Sequence, residues 1–453
     1  MKIKTEMTTR ALARFACELN PCDISPFALE MAKRAFMDLL AAAVAGLDVL
    51  PVRAVTASAG AVFSKGASSV WFSDKTLTAP GAAYVNSTLA SAQDLDDGHR
   101  QAMGHPGASI IPAVFAVAQE TNARGMELLA AVVVGYEVAI RIAAARDHDA
   151  LDTLASGKWC CFGACAAAGR LRGISSGNLA EAMSIAGVQA PGLSAAGYSS
   201  VMGNSVKEGI AWSTLTALCA LEPAERGFTG PLDILDHPDY YFSEKIISGL
   251  GKTFAIEKIY FKPYSCCRWI HSAIDALCAI MAEHNLHARE ITGMEVHLFE
   301  RALRLNNYPD PDSLEGAQYS IPFCLAVAAI AGKSAFLPMR PDLLLREDIT
   351  GLACKIHLFE DTAFTDMFPR MVPAKVVVQT KNNNYTMIVE YPKGDPANPM
   401  SWRQLENKLC HISQPFQDFI NVKKAIRAIK NMENGTIDAL ADVLRCPVPT
   451  LDS

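Results

Sequence analysis

The sequence predicts a mainly α fold, in which a large all-helical domain carries an inserted smaller α+β lid domain. Alanine and leucine dominate the hydrophobic half of the chain over valine and isoleucine, and both favour helices. Short segments rich in β-branched residues begin only after about residue 260. The length of 453 residues also exceeds what one hydrophobic core normally supports, so two domains are expected.

The first 250 residues show one helical pattern after another. Ser25 and Pro26 open the first long pattern, because serine caps helices and proline is tolerated in the first turn. Apolar residues recur at three- and four-residue spacing in six further segments, which are 79–94, 108–122, 125–145, 160–172, 178–189 and 207–226. Alanine on several faces of these segments permits close packing in one large bundle.

The pattern changes after about Tyr260. Four short segments predict strands, which are 290–299, 352–361, 374–381 and 385–392. Asparagines 382–384 predict a hairpin between the last two strands, and helical patterns at 270–284 and 317–332 are interleaved. Helical pattern returns at Ser401. We therefore predict a large helical domain of residues 1–262 and 398–453 and a lid domain of residues 263–397.

Composition and charge exclude several classes of protein. A net charge of −6 with mixed signs gives no basic surface for nucleic acid. The most apolar segment starts at Leu128 but contains Glu137 and Arg141, so it predicts a buried helix and no membrane span. Thirteen cysteines in a large chain that starts without an apolar signal core predict free thiols in a reducing cytoplasm.

The segment QDLDDGHRQAMGHPG, residues 93–107, holds three carboxylates, two histidines and an arginine within twelve residues. Asp94 and Asp97 would share one face if the helix from residue 79 continued. Carboxylates are unfavourable at a helix C-terminus, so a basic partner or a bound proton should compensate them. Glycines and Pro106 then place His105 on a loop before the next helix. The alternative is a solvated acidic loop in which His105 merely caps or pairs.

Cofactor motifs are absent from the sequence. Asp96, His99 and His105 offer metal ligands, but their spacing matches no known metal motif, so no metal is predicted. The phosphate-binding glycine motifs and the GxSxG motif do not occur either. We therefore predict an activity without a cofactor.

Three further segments carry candidate functional residues. Lys207, in SSVMGNSVKEGIAW, is predicted at the start of an apolar helix, where burial lowers a lysine pKa; the alternative is a surface lysine. The segment YFKPYSCCRWIHSAID lies at the predicted domain junction, and its cations would suit a polycarboxylate in a cleft; the alternative is a plain linker. Tyr319, in EGAQYSIPF, either donates a proton or anchors a helix.

Four segments together resemble the MmgE/PrpD family, in the right order over nearly the whole chain. They are NSTLASAQDLDDGHRQAMGHPGASIIPAVFAVAQE, VKEGIAW with GFTGPLDIL, FKPYSCCRWIHSAIDAL, and AQYSIPF. The family includes 2-methylcitrate dehydratase, cis-aconitate decarboxylase and iminodisuccinate epimerase. The resemblance implies a homodimer that acts without a cofactor on small di- or tricarboxylates at the domain cleft. It also implies active-site roles for Asp94, His105, Lys207 and Tyr319.

Two departures from the family pattern bear on the reaction. Leu154 stands near the place of a histidine found in many dehydratases and decarboxylases, and Cys267 replaces a second histidine found in some members. Epimerisation needs only two proton-transfer groups on opposite faces of one carbon, which favours an epimerase of the iminodisuccinate type. A dehydratase, a decarboxylase and a non-catalytic carboxylate-binding protein remain alternatives.

The epimerase hypothesis divides the candidate residues between two faces of the substrate. Lys207 or His105 would act from the helical side. Cys267, Tyr319 or His271 would act from the lid side. The predicted carboxylate-binding residues are Lys262, Arg268 and His271. A Cys267 thiol with a lowered pKa, beside two cations, would be a competent base.

Overall fold

The computed structural model describes residues 6–148, 151, 153–191 and 204–449. Its first 250 residues form a helical bundle, as predicted. The helices are α1 (Thr8–Glu18), α2 (Pro26–Gly46), α3 (Leu50–Val62), α4 (Ala79–Ser91), α5 (Gly107–Thr121), α6 (Gly125–Ala144), α7 (Cys160–Arg172), α8 (Ser176–Val188), α9 (Ile210–Cys219), α10 (Leu221–Glu225) and α11 (Ser243–Ile247). Helices α5, α6 and α7 are buried along most of their length and form the centre of the bundle.

Two helix boundaries differ from the prediction, and each difference moves a candidate functional residue out of a helix. Helix α4 ends at Ser91, and Asp94 has a φ of 49°, so Asp94 and Asp97 do not share a helical face. Helix α9 begins at Ile210, so Lys207 lies in the preceding turn and not in a helix. Lys207 and Gly209 have φ values of 52° and 68°, and left-handed residues cannot continue an α-helix.

Four short strands tie loops of the bundle together. They are β1 (Ser68–Ser69), β2 (Thr76–Leu77), β3 (Gly98–His99) and β4 (Ile259–Tyr260). Strands β3 and β4 are antiparallel, with Gly98 opposite Tyr260. A Cβ atom on Gly98 would lie 2.3 Å from the Tyr260 hydroxyl, so only glycine allows this approach. The pairing brings the residues just before Lys262 against the loop that carries Asp94.

The second region is built around a four-stranded sheet. Its strands are β5 (Ile291–Leu298), β6 (Ile356–Glu360), β7 (Ala374–Thr380) and β8 (Asn384–Val389), in the order β6-β5-β7-β8. Its helices are α12 (His271–Glu283), α13 (Glu300–Leu303), α14 (Leu314–Ala317), α15 (Ile321–Ile330), α16 (Glu347–Ala353) and α17 (Thr362–Met367). Strands β5 and β6 are parallel, and β7 and β8 form the predicted hairpin. All four predicted strands are confirmed.

The described chain has two separate hydrophobic cores. The first contains residues from 12 to 261 and again from 400 to 444, and the second contains residues from 264 to 378. The last helices, α18 (Trp402–Ile412), α19 (Val422–Lys430) and α20 (Asp438–Leu444), belong to the first core, and α18 packs on α2. The chain thus leaves the first core near residue 262 and returns near residue 400. The bounds 263–397 and a lid role for the second region stay predictions.

Two composition-based predictions are testable on the structure. All thirteen cysteines lie in the described part, and each is a free thiol. The apolar segment from Leu128 is the buried helix α6, where Arg141 contacts Glu137 at 2.5 Å. Among the described helices, none is by itself long and apolar enough to cross a bilayer; only α2 and α3 together, across a 92° bend, reach that length and apolarity.

Candidate functional site

The acidic loop, residues 92–106, connects α4 to α5, and most of its ionisable groups are buried. Asp94, Asp96, Asp97 and His105 are each less than a tenth exposed, so the loop is not the solvated one considered as an alternative. Gly104 lets it pack closely, because a Cβ atom there would lie 2.2 Å from the hydroxyl oxygen of Ser156. Buried titratable groups such as these require specific partners.

Lys262 is the basic partner of Asp94. Its Nζ lies 3.0 Å from Asp94 Oδ2 and also donates to the Asp94 backbone carbonyl at 3.0 Å. Burial alone would lower the pKa of Lys262, but Asp94 raises it above its ordinary value. Burial alone would raise the pKa of Asp94, but the ammonium groups of Lys262 and Lys207 lower it. The pair is therefore charged at neutral pH, and the compensation predicted from the sequence is confirmed.

The loop fixes the tautomer of His105. Its Nδ1 lies 2.7 Å from the backbone carbonyl of Asp97, and a carbonyl only accepts, so Nδ1 carries the hydrogen. The other ring nitrogen, Nε2, faces Asp94 Oδ1 at 3.7 Å and Glu208 Oε1 at 3.8 Å. These distances are too long for direct hydrogen bonds. Nε2 is thus the ring atom left for proton transfer.

Lys207 contacts the second region through two neighbouring residues. Its Nζ donates to Gln318 Oε1 at 2.5 Å and lies 5.6 Å from the centre of the Tyr319 ring. Gln318 in turn donates to Gln93 at 3.2 Å. Burial lowers the pKa of Lys207, against the opposing effect of Asp94. Burial also raises the pKa of Tyr319, so its phenol stays protonated at neutral pH.

The hinge, residues 260–271, uses two of its predicted functional residues for structure. Arg268 donates to the backbone carbonyl of Lys393 at 2.9 Å, and its guanidinium lies over the ring of Tyr260 at 4.6 Å. His271 contacts Arg268 through Nδ1 and the Cys266 carbonyl through Nε2, each at 3.2 Å. Burial lowers the pKa of His271, so the ring is neutral. These contacts do not support the predicted substrate-binding role of Arg268 and His271.

Cys267 lies at the site, but its thiol pKa is raised, whereas a lowered pKa was expected. Its backbone N–H donates to the Gln318 carbonyl at 2.8 Å, which places it beside the contacts of Lys207. Burial, with Asp94 as the next cause, raises the pKa of the thiol well above its ordinary value. The expectation of a low pKa is therefore wrong, and Cys267 is a poor base at neutral pH.

Two residues of the site were not predicted from the sequence. Ser156 donates to Glu208 Oε2 from its backbone N–H at 2.9 Å and also from its hydroxyl. The same hydroxyl accepts from the backbone N–H of His105 at 2.9 Å. Glu208 directly follows the candidate residue Lys207, so its position in the sequence could have indicated a place in the site. Ser156 had no signal, because it is 51 residues from His105.

A buried polar layer supports the acidic loop from beneath. Lys408 donates to Asp38 at 2.6 Å and to the backbone carbonyl of Leu95 at 2.9 Å. Tyr136 donates to Asp97 Oδ2 at 2.6 Å. Burial raises the pKa of Asp38 to about 6 and that of Asp97 to about 7. Helices α2, α6 and α18 therefore support the loop through Asp38, Tyr136 and Lys408, and the two carboxyl groups of this layer titrate near neutrality.

One group of residues has the geometry of a cation site. Ligand atoms of Asp94, Asp96 and His105 lie within 4.8 Å of one another. Asp96 Oδ2 is buried without a hydrogen-bond partner among the described residues. However, the Lys262 ammonium already compensates the charge of Asp94. The absence of a metal stays a prediction.

A small cavity of about 50 Å³ opens beside Lys207. Its wall includes Tyr84, Ser91, Trp212 and Glu315. Trp212 is half exposed, so the cavity connects the surface with Lys207. The small-residue loop predicted before Lys207 lies largely in 192–203, outside the described residues.

Comparison with known proteins identifies the family. The MmgE/PrpD N-terminal domain matches residues 10–249, and the MmgE/PrpD C-terminal domain matches residues 264–434. The chain belongs to the MmgE/PrpD family. The gap between the two matched domains contains the point at which the chain passes from the first core to the second.

Curated MmgE/PrpD relatives are similar over nearly the whole chain. A cis-aconitate decarboxylase from Aspergillus terreus (strain NIH 2624 / FGSC A1156) is 25% identical, over 97% of this chain and 96% of that protein. The cis-aconitate decarboxylase-like protein oryM from Aspergillus oryzae (strain ATCC 42149 / RIB 40) is also 25% identical, over 94% of each chain. The resemblance found in the sequence is thus confirmed at the level of the family.

The four residues that the MmgE/PrpD resemblance singles out fall into one connected group. Asp94 faces His105, and Lys207 lies over Tyr319. The charges of Asp94 and Lys207 also influence each other's pKa. Leu154, near the place of a further histidine in many members, is half-buried and offers no polar group. His105 is therefore the one imidazole in the described part of this group.

Proposed function

We propose that this protein is a carboxy-lyase that decarboxylates a small unsaturated tricarboxylate of the cis-aconitate class. The single observation that carries the proposal is the similarity of nearly the whole chain to proteins named as cis-aconitate decarboxylases. The second region's side of the site agrees with this proposal, because Cys267 and Tyr319 are a protonated thiol and a protonated phenol there. Decarboxylation needs one proton donor and no base, whereas epimerisation needs a base on one face of the carbon and a proton donor on the other.

The aligned proteins named as cis-aconitate decarboxylases cover nearly all of this chain. This favours the decarboxylase, which the sequence analysis kept as an alternative, over the iminodisuccinate-type epimerase that it preferred. Dimer formation and a cytoplasmic location stay predictions from the family resemblance and from the composition.

The proposed reaction balances as an allylic decarboxylation. The bond between a CH2 carbon and its carboxylate breaks, CO2 leaves, and the electron pair forms a new C=C bond. The pair of the original C=C bond moves to the carbon beside another carboxylate. That carbon then takes one proton. Negative charge therefore grows on the retained carboxylate, where a fixed cation stabilises it.

Lys207 has the right environment for that cation. Its hydrogen-bond partner Gln318 is neutral, whereas Lys262 is neutralised by Asp94. A substrate carboxylate can replace Gln318 at the ammonium without breaking an ion pair. The proton comes from His105 Nε2, with Tyr319, beside Lys207, as a further donor.

The test follows the products in D2O by NMR with cis-aconitate as substrate. We expect release of CO2 and a methylene acid with one deuterium on the saturated carbon that accepts the proton. Exchange of a substrate hydrogen with no loss of carbon would instead show epimerase-type chemistry, and gain or loss of water would show a dehydratase; either result would overturn the proposal.

A pair of lysine variants ties the reaction to the site. Lys207→Ala should lower kcat/KM by about 100-fold or more, because the cation opposite the growing charge is lost. Lys252→Ala, at an exposed lysine, is the matched control and should leave kcat/KM unchanged. Equal activity of the two variants would remove Lys207 from the mechanism.

A further inference from the structure

Each decarboxylation places one proton on carbon, so His105 must be reprotonated in every turnover. We propose that Glu208 is the residue that returns this proton from solvent to His105 Nε2. The inference rests on the proposed decarboxylation, because an epimerase consumes no net proton. Glu208 acts through His105 and not on the substrate.

The backbone around Glu208 fixes one carboxylate oxygen and leaves the other available. Lys207 and Gly209 on either side are both left-handed, so the chain turns sharply at Glu208. The Gly157 N–H donates to the Glu208 carbonyl at 2.8 Å. Ser156 donates twice to Oε2. Oε1 has no hydrogen-bond partner among the described residues and is the oxygen that faces His105 Nε2.

Burial separates Glu208 from the other carboxylates around the ring. The side chain of Glu208 is 25% exposed, whereas that of Asp94 is 6% exposed and that of Asp96 is 1% exposed. Asp94 is also engaged by Lys262, and Asp96 approaches Nδ1, which already carries its hydrogen. Of the described carboxylates facing His105, Glu208 is thus the one that solvent reaches.

The distance suits a short relay. Nε2 and Oε1 are 3.8 Å apart, which a small side-chain movement or one bridging water can span. His105 gives its Nε2 proton to the substrate carbon and becomes neutral, keeping the Nδ1 hydrogen on the Asp97 carbonyl. Glu208 takes up a proton from solvent or a buffer acid. Its O–H bond then breaks as the N–H bond at Nε2 forms, which returns Glu208 to a carboxylate.

Glu208→Gln tests the relay, because glutamine keeps the shape but cannot deliver the proton. At low buffer concentration, we expect kcat for CO2 release to fall about tenfold or more. Raising the concentration of imidazole buffer should restore much of the loss, since a small acid can protonate His105 directly. Wild-type kcat should not depend on buffer concentration. Glu283→Gln, at an exposed glutamate, should behave as wild type.

The outcomes separate this inference from the proposed function. Wild-type enzyme without CO2 release would overturn both. Active wild type with an unchanged Glu208→Gln variant, or with a loss that buffer does not restore, would overturn the relay alone. Ser156→Ala keeps the carboxylate but removes one of its donors, and it serves if Glu208→Gln does not fold. It should show a smaller, buffer-sensitive loss, and normal buffer-independent activity would count against the relay.

Discussion

The acidic loop and the hinge are both rich in ionisable residues, yet their side chains are used differently. In the loop, His105 keeps Nε2 without a direct hydrogen bond, beside carboxylates at 3.7 and 3.8 Å. In the hinge, both ring nitrogens of His271 contact protein groups at 3.2 Å. A high density of reactive residue types therefore does not identify a functional site. A functional site is identified by hydrogen-bonding atoms that the fold leaves without a partner.

Exchanging each histidine for glutamine tests this contrast most directly. His105→Gln should lower kcat for CO2 release by about 100- to 10,000-fold, because the proton-transfer atom is lost. His271→Gln should leave kcat of the folded enzyme within about threefold and lower the free energy of unfolding by about 1–3 kcal/mol, because buried hydrogen bonds are lost. Kinetics and urea denaturation on both variants provide the measurement; a large kcat loss in His271→Gln would contradict the contrast.

Lys408 tests whether the buried layer supports the loop. Lys408→Met removes the partner of buried Asp38, so we expect the free energy of unfolding to fall by about 3–5 kcal/mol. Lys424→Met breaks an exposed pair with Asp442 and should cost less than about 1 kcal/mol. Urea denaturation monitored by circular dichroism compares the two. Similar losses would mean that Lys408 contributes no more than a surface pair.

The pH dependence of stability tests the titration of Asp97. Its pKa is about 7 in the folded protein, above the ordinary 3.8, so between these values the folded state binds more protons than the unfolded state. Through this group, stability is full below about pH 4 and is lost as the pH rises towards 7. Asp97→Asn does not titrate, so the decline should become shallower by up to about 1.4 kcal/mol per pH unit. An unchanged slope would contradict a raised pKa.

Cys267 should give the smallest effect. Because its thiol stays protonated at neutral pH, Cys267→Ser should retain kcat within about twofold. Iodoacetamide at pH 7 should also inactivate the wild type slowly, since the thiolate is the reactive form. A loss above about tenfold in Cys267→Ser would return Cys267 to the set of proton-transfer groups and reopen the epimerase alternative.

Local patterns predicted most of the fold, and they did so because apolar periodicity directly reflects which face is buried. The strands β5 to β8, the hairpin between β7 and β8 and the helices around the acidic loop follow from it. Lys207 was misplaced into a helix, because its left-handed φ of 52° depends on the packing of the turn and not on its neighbours' hydrophobicity.

The candidate site was predictable only in part. Asp94, His105, Lys207 and Tyr319 came from the family resemblance, and the structure brings them together. The contact of Lys408 with Asp38 joins residues 370 positions apart, and no local pattern carries that information. Titration was the least predictable property, since burial reversed the direction expected for Cys267.

The short antiparallel pairing of β3 with β4 determines which contacts would break if the second region rotated away from the first. Gly98 and His99 are paired with Tyr260 and Ile259, so the start of the hinge is clamped to the acidic loop. A rotation beyond residue 262 would leave the Lys262–Asp94 ion pair intact. It would carry Gln318 and Tyr319 away from Lys207. Such an opening would thus separate the Tyr319 phenol from the Lys207 amine, while the Lys262–Asp94 pair would stay in place for the next substrate.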